Sequence, residues 1–337
     1  MELSVVLPCY NHGEYLLEAI ASVEQCLEQN PDLGIEVIVV NDGSDQPETI
    51  EILDSLRQDP FYIFLDRPNR GLANARNTGI AKASGKYILP LDADNKIRPE
   101  YIPRGIGILD SEPEVGVVYG NMEFFGEAIG RWELPEFDLF RLMLSNYIDA
   151  CAIFRKSIWQ ECGGYDEHIP DRLGYEDWEF WLRVGQRGWK FHHINQVMYD
   201  YRVRSDSMVQ ACKTPENQRR LVHYITDKHR QLYQQYLPEV IADKEYNLFR
   251  EMAKTQELRH QLTQIQENSQ RERQRLEIAL AGCRAEILDL QRQCVEEQIR
   301  VQDLNRRIQA MESSKFWKLR RWWFKLKHWL KISDQLA

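Results

Sequence analysis

An α/β fold, with a mixed and mainly parallel sheet flanked by helices, is what the first 200 residues predict. Three apolar runs carry that expectation, each passing into polar residues at its carboxyl end: Leu3-Ser4-Val5-Val6-Leu7-Pro8-Cys9-Tyr10-Asn11, Glu36-Val37-Ile38-Val39-Val40-Asn41-Asp42-Gly43-Ser44 and Tyr87-Ile88-Leu89-Pro90-Leu91-Asp92-Ala93-Asp94. Continuous apolar runs of this length, separated by helical patterns, read as parallel strands buried on both faces.

The first run is expected to break at Pro8 and lead into a helix over Glu14 to Leu27. The second ends in an acid and a turn. Between it and the third lies Asn69-Arg70-Gly71-Leu72-Ala73-Asn74-Ala75-Arg76-Asn77-Thr78-Gly79, a polar loop turning into a helix that continues to about Ala83. Polar side chains thus gather at the strands' carboxyl ends, where open α/β sheets bind ligands. No Gly-rich dinucleotide fingerprint follows the first strand and no Walker loop occurs, which argues against hydride transfer and NTP hydrolysis.

Asp92-Ala93-Asp94 is the most informative motif. Two carboxylates at the end of a buried strand suit a hard divalent cation, Mg²⁺ or Mn²⁺, whose shell substrate phosphates complete. An isolated Asp-x-Asp is more often a surface turn. The ordered company it keeps here is Pro8-Cys9-Tyr10-Asn11, Asn41-Asp42-Gly43-Ser44, Gly71 to Gly79, and Glu176-Asp177-Trp178.

With these motifs, residues 3 to 210 resemble family 2 of the inverting glycosyltransferases, which have the GT-A (Rossmann-like) fold. The resemblance implies a nucleotide-sugar donor and a divalent metal. It implies that Pro8, Tyr10 and Asn11 line the nucleotide pocket, that Asp42 binds the base, that Asp92 sits near the ribose, and that Asp94 ligates the metal. Asp177 would be the general base, with Glu176 and Trp178 shaping the acceptor side. Tyr201-Arg202-Val203-Arg204-Ser205-Asp206-Ser207 resembles the family's flexible closing segment, although many relatives carry a His where this chain has Arg204.

The chemistry asks for the same residue types. A departing nucleoside diphosphate develops negative charge, which a metal and a cation such as Arg202 would stabilise. The acceptor hydroxyl must lose a proton, and a positioned carboxylate is worth about 10²–10⁴ in rate. Asp177 stands where a turn opens an aromatic helix, Gly174 to Leu182. Backbone amides there would hold it ionised, and by its residues alone it could equally be a helix cap. Arg76 has two readings, a donor phosphate ligand or an internal ion pair with a site aspartate. His192-His193 lacks a third metal ligand at suitable spacing and reads as structural. Gly163-Gly164-Tyr165-Asp166 reads as a turn.

The chain's 337 residues suggest more than one unit, with domains expected at 1–240, 244–312 and 314–331. Seven scattered cysteines without Cys-x-x-Cys spacing fit reduced thiols in a cytoplasmic setting, and Met1-Glu2-Leu3 enters the first strand without a signal segment. From Lys244 to Glu312 there is no proline and one glycine, so a long helix is expected. Leu280, Cys283, Ile287, Leu290, Cys294, Val301, Leu304, Ile308 and Met311 follow a 3,4 spacing, with Glu297 the one exception. That is a coiled-coil seam and suggests a homodimer; a solvated helix or one packed on its own domain is the alternative.

Ser314 to Lys331 follows with four tryptophans. Wound as a helix, Phe316, Leu319, Trp322, Trp323, Leu326, Trp329 and Leu330 share one face, opposite Lys318, Arg321 and Lys325. Residues 313–337 carry seven Lys or Arg and one Asp, a formal +6 in a chain of net −9, leaving −15 elsewhere. This predicts a short amphipathic helix lying on an anionic membrane, peripheral to its inner face, with a protein partner as the alternative. Confinement of net positive charge to the tail, with its aromatics along one apolar stripe, disfavours nucleic acid. The expected activity is transfer of a sugar to a glycan or lipid-linked acceptor, in cell-surface polysaccharide synthesis. A non-catalytic sugar-nucleotide-binding adaptor is the competing class, and a nucleotidylyltransferase lacks its Gly-rich basic loop.

Overall fold

In the computed structural model, which describes residues 1–330, the elements run in the order β1 (Leu3–Cys9), α1 (Gly13–Gln29), β2 (Ile35–Asn41), α2 (Pro47–Leu56), β3 (Tyr62–Asp66), α3 (Leu72–Lys82), β4 (Tyr87–Pro90), β5 (Lys96–Ile97), α4 (Tyr101–Ser111), β6 (Val115–Gly126) and β7 (Gly130–Trp132). Then come α5 (Leu139–Leu144), β8 (Ile153–Arg155), α6 (Lys156–Cys162), α7 (Glu176–Gln186), β9 (Lys190–Val203), α8 (Met208–Cys212), α9 (Pro215–Lys228), α10 (Arg230–Gln235), α11 (Leu237–Ser313) and α12 (Lys315–Trp329). The chain divides into two compact units, Met1–Tyr246 and a second from Asn247 on.

The first unit is built on a sheet of order β3-β2-β1-β4-β8-β6-β9-β5, with β7 paired to β6. β3, β2, β1 and β4 are parallel, β8 runs antiparallel between β4 and β6, and β9 is parallel to β6. This is the mixed, mainly parallel sheet of the GT-A fold. Every residue of β1 is buried, as a strand covered on two faces requires. β1 runs through Pro8 rather than breaking there. Its pairing with β4 ends at Val6–Pro90, so Pro8 lies beyond that ladder, and β4 pairs with β8 only through Tyr87 and Ile88, leaving Pro90 outside it.

Helix α1 buries Leu16, Ala19, Ile20, Val23 and Cys26, a 3.6-period stripe. Helix α3 comes closest to the sheet at Gly79, where a Cβ would stand 2.4 Å from Val6 Cγ1 and 3.0 Å from Val40 Cγ2. Any side chain there would push α3, and the motif it carries, away from β1 and β2.

Helix α7 is anchored by aromatics. Trp181 is fully buried among Phe154, Phe180 and Phe191, at ring-centre separations of 5.7, 5.0 and 5.9 Å. Its Nε1 donates to the Ile148 carbonyl at 3.1 Å, and Trp178 Nε1 donates to the Leu142 carbonyl at 2.6 Å. Two indole groups of one helix thus hold the segment 142–148 against it, satisfying their own buried N–H groups.

The expected long helix starts earlier than residue 244: α11 is continuous over 77 residues from Leu237, with Pro238 tolerated in its first turn, and it buries no residue. The unit boundary at Tyr246 falls inside it. Ser314 ends α11 and caps α12, its Oγ accepting from Trp317 N at 3.3 Å. The apolar residues of the α12 stripe are exposed, except Leu326, which is partly covered; Trp317 and Phe324 stand on the basic side, beneath the Arg320 guanidinium at 5.0 and 5.7 Å. Lys331, the last residue of the expected tail helix, lies outside the described residues. Among the described residues no helix is long and apolar enough to cross a membrane.

Candidate active site

The carboxyl ends of β1, β2 and β4 open on one side of the sheet, where the N-terminus of α7 and the end of β9 meet them. Tyr10 is 45% exposed at this edge, while Pro8 is inside the strand. Asn11 takes a left-handed φ of 57°, which asparagine tolerates. Its Oδ1 accepts from the amides of Asp45 (2.9 Å) and Gln46 (3.1 Å), stitching the β1 loop to the β2 loop. Asp42 is buried, with its oxygens already engaged: Oδ1 accepts from Arg70 N (3.1 Å), Oδ2 accepts from Gly71 N (2.9 Å), and Arg67 Nε lies 3.1 Å away. Gly71 has φ +92°, so this turn into α3 needs glycine.

Arg76 resolves in favour of the internal ion pair. It is 2% exposed and pairs with Asp92 and Glu176 together. Burial works against its charge, but the two carboxylates outweigh that and hold its pKa well above the ordinary range. Arg76 thus takes the second of its two readings, an internal pair, and Glu176, 3% exposed, is its buried partner. Trp178 is likewise 3% exposed, turned inward to Leu142. Of Glu176, Asp177 and Trp178, only Asp177 is partly exposed.

Asp177 Oδ1 accepts from the Trp178 amide at 2.7 Å, and Oδ2 accepts from Asn146 Nδ2 at 3.1 Å. Against these, burial first, then the charges of Glu176 and Asp149, push its pKa up to about 8. The sequence suggested a carboxylate held ionised by helix amides; the surrounding acids oppose that. Asp149 is itself raised to about 7 by burial and then by Asp92. Neither Asn146 nor Asp149 belongs to a sequence motif; the loop that carries them is held by the indole contacts of α7 and by Tyr101 Oη, which donates to the Cys151 carbonyl at 2.9 Å.

Asp94 faces cations. Arg204 Nε is 3.4 Å from its Oδ2, and Arg202 Nε donates to its carbonyl at 3.1 Å. Burial, then the nearby Asp92, raise the Asp94 pKa to about 6, while Arg204 opposes the rise. The Arg202 guanidinium lies between the rings of Tyr15 (4.5 Å) and Phe125 (4.4 Å), with Nη2 2.7 Å from Glu18. Arg204 Nη2 lies 3.1 Å from His12 Nε2, and burial and then the Arg204 charge lower the His12 pKa, so His12 is the neutral acceptor. Arg204 Nε is also 3.6 Å from Asp206, and both guanidinium groups, so paired, stand beside a cleft of about 400 Å³ lined by Tyr15, Glu127, Arg202, Arg204, Ser205 and Asp206. In the segment that follows β9, Ser205 N and Oγ donate to Glu127 at 3.0 and 3.1 Å.

Among the described residues no three His, Cys, Asp or Glu side chains form a metal-holding group. The site nevertheless fits a cation carried in with phosphates: Mg²⁺ commonly takes one or two carboxylates and substrate oxygens, and the crowding of Asp92, Asp94, Asp149 and Asp177 would be relieved by positive charge. His192 and His193 stand apart. His193 stacks on Tyr119 at 5.0 Å and bonds Asn121 at 2.9 Å. The Gly163–Asp166 turn is held by Asn77, whose Oδ1 accepts from Trp159 Nε1 (2.9 Å) and Tyr165 N (2.7 Å), a structural use of that motif residue.

Residues 4–163 match the family model described as glycosyl transferase family 2. A chondroitin synthase of Pasteurella multocida is 26% identical over 210 residues, 61% of this chain and 21% of that protein, so the chain spans about a fifth of this relative's length. An uncharacterized glycosyltransferase of Rickettsia prowazekii is 28% identical over 63% of this chain and 65% of its own. The crystal structure of S. aureus TarS 1-349 in complex with UDP-GlcNAc superposes with a TM-score of 0.53 at 19% identity, covering 67% of this chain and 66% of that one, a likeness of fold. The match over residues 4–163, on the sheet that carries the motif-bearing strand ends, places the N-terminal domain in glycosyl transferase family 2.

Proposed function

We propose that the protein transfers a sugar, with inversion, from a nucleoside-diphosphate sugar to a hydroxyl of a glycan or lipid-linked acceptor during polysaccharide synthesis. The carrying observation is Asp177, alone of its motif partly exposed and hydrogen-bonded to Asn146 and Trp178 N. Asp177 takes the proton of the acceptor hydroxyl as that oxygen bonds to the anomeric carbon. The bond from that carbon to the diphosphate oxygen breaks on the opposite side, and the diphosphate leaves with the electron pair. Arg202 and Arg204 are the cations placed to receive it. Asp94 would hold Mg²⁺ or Mn²⁺, which neutralises developing charge when bound. Relatives named chondroitin synthase and poly-beta-1,6-N-acetyl-D-glucosamine synthase, and the UDP-GlcNAc complex of TarS, support the donor and product classes.

The Asp42 oxygens are taken up by the loop, so base recognition falls to its remaining lone pairs and to Tyr10. In this proposal α12 lies on the anionic inner face of the membrane, with Phe316, Trp322, Trp323 and Trp329 of its apolar stripe at the headgroup level, and α11 self-associates as a coiled coil.

The test is nucleoside-diphosphate release from a panel of nucleotide sugars with Mn²⁺, with and without oligosaccharide acceptors. Release from one donor that Asp177→Asn lowers about 10²–10⁴-fold is expected. Donor binding without turnover under any acceptor would instead favour a binding role. For the tail, removal of residues 314–337 is expected to abolish sedimentation with phosphatidylglycerol vesicles; full association of the truncated chain would sink the membrane assignment.

A further inference from the structure

The exposed seam of α11 holds information about orientation. Assigning Leu280 to a heptad a position places Ile287, Cys294, Val301 and Ile308 at a, and Leu276, Cys283, Leu290, Glu297, Leu304 and Met311 at d. The apolar members of this seam are all more than half exposed, from Leu304 at 52% to Leu276 at 65%. Five consecutive heptads exceed the length at which such a pattern is meaningful. Nothing in α11 covers it.

The β-branched residues of the seam, Ile287, Val301 and Ile308, all stand at a, while Leu276, Leu290 and Leu304 stand at d. In a parallel pair the a and d layers have different packing geometries, and this segregation favours two strands. In an antiparallel pair each layer mixes a with d, and segregation would serve no purpose. Flanking charges agree with a parallel register. Arg307 at g lies opposite Glu312 at e of the other helix; Ala279 with Arg284, Glu286 with Gln291, Gln293 with Gln298 and Arg300 with Asn305 contain no like charges, and the one like pair, Glu272 with Glu277, falls at the N-terminal edge of the seam.

We propose that residues 276–312 pair with the same residues of a second copy as a parallel, in-register, two-stranded coiled coil. This rests on the self-association of α11 proposed above and adds its direction and register. Like residues then meet across the seam: Cys283 faces Cys283 of its partner, Cys294 faces Cys294, and Glu297 faces Glu297 as the one costly layer. The pair carries both copies of α12 at the same end, so that one dimer presents two basic aromatic helices to one surface.

Cysteines supply the test. Cys283 and Cys294 are exposed, whereas Cys9, Cys26, Cys151, Cys162 and Cys212 are buried. Full-length Cys294→Ser protein would be treated with a short homobifunctional maleimide and run on a denaturing gel, with light scattering on the untreated sample. A parallel register gives a covalent dimer through Cys283 and the scattering mass of two chains. An antiparallel pair that overlaps the same seam sets Cys283 opposite Ile308, about 37 Å from its own copy at 1.5 Å rise per residue, and no cross-link forms. A dimer mass without cross-linking overturns the orientation and leaves self-association standing. A monomer mass overturns both, and a mass of three or more chains overturns the two-stranded form. Glu297→Leu is expected to strengthen the dimer at least about tenfold, since a like-charge layer becomes an apolar one; Leu290→Asp should abolish mass and cross-link together.

Discussion

Asn146 Nδ2 stands 3.1 Å from Asp177 Oδ2, a contact between a loop residue outside every motif and the candidate base. The amide supports the ionised carboxylate, while burial, Glu176 and Asp149 drive the pKa up to about 8. A base acts when deprotonated. Hence kcat/KM should climb tenfold per pH unit below about 8 and level off above it. Asn146→Ala removes a donor to the charged form, so its profile should shift to higher pH. Initial rates from pH 6 to 10 would show both, and a wild-type profile flat across pH 7 to 9 would remove Asp177 from the role.

The same residue separates activity from stability. Its pKa of about 8 in the fold exceeds the ordinary carboxyl value of 3.8, so the folded state keeps a proton that the unfolded chain releases. That contribution is present below about pH 4 and lost as pH rises towards 8. Asp177→Asn has no such loss. Its melting temperature should exceed that of the wild type by a margin that grows from pH 5 to pH 8, even as turnover disappears; scanning calorimetry across this range is the measurement.

Arg76 should behave in the opposite sense. Arg76→Met leaves Asp92 and Glu176 without their shared cation in a buried setting, a loss of about 3–5 kcal/mol for a broken buried pair. Urea denaturation should show the deficit in full at pH 8 and a smaller one at pH 5, where protonation offsets the unpaired charges.

Arg204 tests donor binding. Its Nε lies between the carboxylates of Asp94 at 3.4 Å and Asp206 at 3.6 Å, beside the cleft. If it receives the diphosphate, Arg204→Ala should weaken binding of uridine diphosphate by about tenfold or more, as expected for a charge-assisted hydrogen bond of about 1.5–3 kcal/mol. Titration calorimetry would measure it. An unchanged affinity would restrict Arg204 to holding Asp94 in place.

What the sequence determined by itself was whatever depends on local order. Apolar runs buried on two faces specify β1, β2 and β4 without reference to partners, and polar residues following them in the chain must emerge at the strands' carboxyl ends. That made the sheet, Asp92, Asp94 and the α7 turn legible, along with α11 and α12, whose 3.6- and 3.5-residue periods need no tertiary context. The tertiary structure decided what depends on proximity between distant residues. Arg76 and Glu176 are 100 positions apart, and only packing of α3 against the α7 turn makes them partners. Asn146 comes to Asp177 on a loop whose Leu142 and Ile148 carbonyls accept from two indole N–H groups of α7. The inward turn of Glu176 and Trp178 has the same origin. Residue type announces what a side chain can do, but whether its charge is spent on a neighbour or left for a ligand is an electrostatic outcome of burial and distance, which local pattern does not encode.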